Sequence, residues 1–174
     1  MTIDRKSLNS LPPVIAYARL LCELQRLADE GKADSQEAET VTELMDAPWY
    51  AITEQEQTRM RGLSADLYSL REGGPKRVEM NGEQLANWQR NAKEAFARSQ
   101  TDPDATLNFL RRPVPAQLAP QFVPFLQARC WEKFGDLETA LVFKKEADRL
   151  SPDTSEQKNG AEIYFRDLEG RPMS

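Results

Sequence analysis

Apolar residues recur at helical spacing along most of the chain. Val14, Ala18, Leu21, Leu24 and Leu27 predict a helix over 14–30, with Pro12 and Pro13 at its entrance and Gly31 placed to stop it. Ala38, Val41, Leu44 and Met45 predict a second helix over 35–46, capped by Asp34 or Ser35. Thr53-Glu54-Gln55-Glu56 is a capping box that opens a third, running to about Leu70 with Met60, Leu63, Leu67 and Leu70 as its stripe. Asn81 with Gln84 caps a helix over 82–99 that carries Leu85, Trp88, Ala92, Ala95 and Phe96. Asp102-Pro103 starts a short helix over 103–111, with Leu107, Phe109 and Leu110. A helix over 120–133 admits Pro120 and Pro124 only near its first turn. Gly135-Asp136 turns the chain into 137–150, which Ser151-Pro152-Asp153 ends. Ile163-Tyr164-Phe165 is too short a run to assign. The expected class is all-α.

The breaks divide this pattern. Two glycines and a proline in Glu72-Gly73-Gly74-Pro75-Lys76 cannot continue a helix. The expected organisation is an N-terminal helical unit over 1–72, a hinge over 73–80, helical hairpins over 81–154 and a tail over 155–174. Pro113, Pro115 and Pro120 predict an extended, stiff loop. Ala47-Pro48-Trp49-Tyr50 ends the second helix, and its aromatics either plug a core between helices or anchor a partner. The plug is the expected role, since aromatic bodies are mostly buried.

Composition narrows the chemistry. At 174 residues the chain is long enough to bury a core without disulfides or metals. It holds 23 basic and 28 acidic residues and no histidine. The missing histidine removes Ser-His and Cys-His catalysis and histidine metal sites. A net charge of −5 argues against nucleic acid or an anionic membrane as a bulk-charge partner. Residues 23–46 hold eight acidic and two basic residues, read as a solvated face. Cys22 and Cys130 make no CxxC spacing and read as buried small hydrophobes. No signal peptide, transmembrane span, phosphate loop, nucleophile elbow or calcium loop is found, so a cytoplasmic protein without cofactor is expected.

The stretch 121–152 resembles a tetratricopeptide repeat, a 34-residue helix–turn–helix with small residues where its helices cross. Ala128 falls at the first close-contact position, Trp131 at the aromatic position, Gly135 at the turn, Ala140 and Ala147 at the small positions, and Pro152 at the end. Pro124, Gln127 and Lys144 depart from the pattern, which has an aromatic, a leucine and an aromatic there. A shift of 34 residues gives a second copy at 87–118, aligning Asp136 with Asp102, Phe122 with Trp88, Leu141 with Leu107 and Ala140 with Thr106.

The resemblance implies a short helical solenoid and a non-catalytic adaptor or scaffold for a protein or peptide partner. It places the peptide-facing positions at Trp88, Asn91, Ala95 and Arg98 in one unit, and at Phe122, Phe125, Arg129, Glu132 and Lys133 in the other. Aromatics beside cations suit an extended peptide with acidic or C-terminal carboxylate groups. Arg98, Arg129 and Lys133 are expected to share one groove. Two rival readings stand beside it: a homo-oligomeric structural subunit, and an enzyme that works without histidine.

Overall fold

A computed structural model describes residues 3–150, which divide between Gly73 and Gly74 into two compact units. The expectations for Pro152, Ile163-Tyr164-Phe165 and the tail over 155–174 lie outside these residues. The described residues are almost wholly helical, and the only strands among them are two residues each.

The first unit is built on α2 (Pro13–Asp29), which packs against α1 (Arg5–Asn9), α3 (Gln36–Leu44), α4 (Asp46–Ala51) and α5 (Glu54–Arg71). A helix with neighbours on several sides needs more than one apolar stripe, and Ala16, Ala18, Leu20, Leu21 and Leu27 are all buried. The short α1 lies ahead of the expected helices; Asp4 caps it, accepting from the Lys6 amide at 3.1 Å. Ser35 caps α3 and both halves of the Thr53–Glu56 box are made.

Ala47-Pro48-Trp49-Tyr50 is not a break but the body of α4. Pro48 falls in the first turn, where its missing N–H is not needed. Trp49 is half-buried, its ring tilted by 41° against Tyr17 with centroids 5.1 Å apart, and covered by the Arg61 guanidinium. Burial pushes the Tyr17 hydroxyl above its ordinary value, against the pull of Arg61 and with the help of Asp46. Tyr50 is 83% exposed, so it plugs nothing. Neither cysteine is in a disulfide; Cys130 is buried, Cys22 only partly.

The second unit begins with β1 (Arg77–Val78), then α6 (Gly82–Arg98), α7 (Pro103–Leu110), β2 (Val114–Pro115), α8 (Phe122–Lys133) and α9 (Leu137–Leu150). The stretch expected as a free hinge over 73–80 is therefore partly structured. β1 pairs in parallel with β2, and the Val114 and Ala116 amides donate to Lys76 and Val78 carbonyls, each at 2.8 Å. Arg77 donates across the same clip to the Ala116 and Leu118 carbonyls. The residues expected as a plain stiff loop thus supply β2, with Val114 and Pro115 buried. A two-stranded ribbon is all edge, which is where proline is tolerated in a sheet.

The α6–α7 and α8–α9 hairpins share several features at a spacing of 34 residues, although their helices differ in length. Asp102 accepts from the Ala105 amide at 3.2 Å, and Asp136 from the Thr139 amide at 3.2 Å. Asp136 also accepts from the Thr139 hydroxyl at 2.6 Å. Thr106 and Ala140 are both buried where helices pass closely, and the Thr106 hydroxyl donates to the Ala95 carbonyl at 2.7 Å. Gly135 takes φ +80° at the α8–α9 turn, a conformation that costs a residue with a Cβ. Trp88, Leu110, Val114, Leu118, Phe122 and Leu126 form a core that joins the two hairpins.

Arg71 and Glu72 are exposed, whereas Arg77 is held by its two carbonyl acceptors. Limited trypsin digestion is therefore expected to cut first after Arg71 and only later after Arg77. Mass spectrometry of the first fragments checks this; an initial cut inside 82–98 contradicts the division.

Two core positions in the α8–α9 hairpin should respond with opposite signs. Ala140 is 3% exposed at a helix crossing, so Ala140→Leu should overpack and cost about 1–3 kcal/mol. Gln127 is buried and its Oε1 has no hydrogen-bond partner. Gln127→Leu removes that orphan acceptor and should stabilise by about 1–2 kcal/mol. Thermal melts of the two variants beside the parent chain measure both signs.

Candidate functional site

The expected binding residues do not form one groove. Trp88 and Phe122 are buried against each other, ring centroids 5.9 Å apart and edge on, with Phe109 6.0 Å from Trp88 on its other side. They are core aromatics, because each occupies the inner face of its helix at the junction of the hairpins. Phe125 is half-buried and packs against the same core. Arg129 lies with its guanidinium 4.6 Å from the Phe96 ring and its Nε buried, so it is spent on holding α8 to α6. Lys133 is exposed in the last turn of α8. Arg98 lines a groove between α6 and α7, and neither Arg129 nor Lys133 is part of that lining.

Asn91 and Arg98 do come together with other residues, in a groove between α6 and α7. One part of it, about 310 Å³, is lined by Asn91, Glu94, Ala95 and Arg98 from α6 and by Ala105, Asn108, Phe109 and Arg112 from the facing side. A second part, about 500 Å³, adjoins it past Asn87, Gln84, Met80, Glu79 and Val78. The two parts share Asn91, Phe109 and Arg112, so they adjoin along those residues. Its floor is apolar, with Ala95, Phe109 and the edge of Trp88.

The polar groups stand along the rims at helical intervals. Asn87, Asn91, Glu94 and Arg98 follow one another by three or four residues on α6. Asn87 Oδ1 accepts from Arg90 at 3.2 Å and Asn108 Oδ1 from Arg111 at 2.6 Å, which leaves their amide N–H groups as the outward donors. Asn91 makes no side-chain hydrogen bond among the described residues. Arg98 pairs with Glu94 at 3.1 Å, both well exposed, so that pair contributes little stability. Arg112 has no ion-pair partner among the described residues and stands where the two parts of the groove meet. Its own amide donates to the Phe109 carbonyl, which carries the turn past the end of α7 and brings the cation to a helix C-terminus.

The sequence carried half of this site. The row Asn91–Arg98 is readable from spacing within a strongly patterned helix. Ala105, Asn108 and Arg112 follow one another by three and then four residues, but Pro113 reads as a stop, which leaves Arg112 outside the helix expected over 103–111. Among the described residues no group of three or more Cys, Asp or Glu is placed to hold a metal ion. No described helix is long and apolar enough to cross a membrane. Comparison with known proteins finds no matching family model, no matching curated protein and no matching solved structure.

Proposed function

We propose that the chain is a non-catalytic interaction module, built on two tetratricopeptide-like hairpins, that receives an extended acidic peptide segment in the α6–α7 groove. The observation that carries this is the groove itself: an apolar floor, a row of outward amides and a guanidinium, Arg112, without an ion-pair partner among the described residues, with Glu79 a carboxylate in the second part of the same lining. Asparagine side chains offer a peptide backbone the same donor and acceptor it offers its own kind. From Asn87 to Arg98 α6 rises about 16 Å, which matches about five residues of extended chain. Arg112 at the midpoint is a seat for a carboxylate, which a guanidinium binds with two parallel hydrogen bonds. The lining has no serine, cysteine or lysine, so nothing in it nominates a nucleophile.

The repeat reading is supported by equivalent roles at 34-residue intervals: Asp102 and Asp136 as caps, Thr106 and Ala140 at crossings, Trp88 and Phe122 in the joint. A second reading has one observation in its favour. Leu137 and Leu141, one turn apart on α9, are 69% and 46% exposed, a short apolar stripe that a second copy would cover. Light scattering over a concentration series separates the readings, since the adaptor stays monomeric.

Peptides selected from a displayed library against the full chain test the groove. Arg112→Glu and Asn91→Ala should each weaken the selected peptides, the charge reversal by about tenfold or more, the equivalent of one charged hydrogen bond. Both positions are exposed, so Asn91→Ala should leave the melting temperature unmoved, and Arg112→Glu should lower it only slightly through the reversed charge at the α7 C-terminus. Selected peptides that bind both variants like the parent place the binding surface elsewhere.

A further inference from the structure

The first unit holds a second cleft with a different chemistry. It has a volume of about 400 Å³ and lies between α1–α2 on one side and α3–α4 on the other. Its base is Leu8, Ala16 and Leu20, all buried, and its α3–α4 wall is Leu44, Ala47, Pro48 and Ala51. Ala16, Ala47 and Ala51 are small, so a backbone or a bulky side chain can approach closely.

The charge around this cleft is one-sided. The first unit has 13 acidic and 8 basic residues, which is the whole net charge of −5. Much of the acid elsewhere in it is paired: Glu23 and Glu30 with Arg26, and Asp29 with Arg71. Glu43 lines the cleft and Asp46 begins α4; both are exposed and neither has an ion-pair partner among the described residues. Arg5 stands on the opposite wall. At about 100° per residue, Tyr50 projects about 60° to one side of Ala47, on the flank that Asp46 also occupies. That edge therefore carries two carboxylates and a highly exposed tyrosine, the kind of side chain that a guanidinium or ammonium group covers.

We propose that the cleft between α1–α2 and α3–α4 docks a basic amphipathic helix of a partner protein, leucine-like side chains inward and lysines or arginines along the Glu43–Asp46–Tyr50 edge. The base accepts apolar anchors at helical spacing, and the rim orients them by charge, cations towards α3–α4 and away from Arg5. The acidic stretch has a use in this arrangement: it raises the encounter rate with a cationic partner and screens away with salt. The site is independent of the α6–α7 groove, and its test leaves that groove untouched.

The test uses the full chain and a labelled amphipathic peptide of leucine and lysine, with a leucine–glutamate counterpart, read by fluorescence anisotropy. The leucine–lysine peptide should bind and weaken as salt rises; the counterpart should not bind. Ala47→Phe fills the cleft from an exposed position and Glu43→Lys reverses its rim. Each should weaken binding by about tenfold, again one charged hydrogen bond or its equivalent. Asp34→Lys changes net charge equally at an exposed site outside the lining and should keep affinity within about twofold, as a screened distant charge does. If Ala47→Phe perturbs the circular dichroism, Ala51→Phe fills the same wall one turn on. Binding that survives both the filled cleft and the reversed rim, binding of the counterpart, or no binding at all overturns the proposal.

Discussion

The contact between Trp88 and Phe122 sets most of what the second unit can do. Each ring lies on the inner face of its helix, and their edge-on packing fixes α6 against α8. Two rings of this size bury several hundred square ångströms between them, worth several kcal/mol of transfer free energy, so no rearrangement that frees them for a ligand is cheap. Phe109 completes the cluster from α7, and Arg129 closes over Phe96 beside it. Once these aromatics are committed to the joint, the first-helix face has no aromatic left to offer. The open surface moves round to the α6–α7 groove, where Phe109 and Trp88 still contribute the floor but not the grip.

That joint works only because the chain on either side of the α6–α7 hairpin is clipped. The segment entering α6 and the segment leaving α7 meet as β1 and β2, and Arg77 spans the pair with two further hydrogen bonds. Such bonds bridge about forty positions of sequence, so they are made only when the hairpin between them is formed. The clip also fixes the ends of the groove, since Val78, Met80 and Pro113 are among its lining residues. Thr106 performs a similar task inside the hairpin, satisfying the Ala95 carbonyl at the crossing where a larger residue would push α6 and α7 apart.

Helix positions, caps and small-residue crossings were legible in the sequence because each is a local event. Asp102, Asn81, Thr53 and Ser35 cap as their spacing to the following amides requires. Ala140 and Ala147 are buried because a helical period places them on the face of Phe143. The parts that were not legible depend on contacts distant in sequence. Two-residue strands carry no period, so β1 and β2 leave no pattern. Trp49 and Tyr50 are adjacent and alike in composition, yet a helix turns them about 100° apart, one onto Tyr17 and the other into solvent. The cation row Arg98, Arg129, Lys133 failed as a groove for the same kind of reason: Phe96 captures one member and Glu94 pairs with another.

The distribution of charge gives the two units opposite preferences. All of the net negative charge falls in the first unit, while the acidic and basic residues of the second balance. A balanced unit has no net charge to act at a distance, so its selectivity rests more on groups at short range, and Arg112, without an ion-pair partner among the described residues, is such a group. A unit with a net charge acts over a longer distance and favours partners of the opposite sign before any contact forms. Bulk charge therefore says little about this chain as a whole. An average of −5 excludes neither a local seat for a carboxylate on one unit nor an acidic rim for cations on the other, because recognition reads the charges within about a Debye length of the surface that is touched.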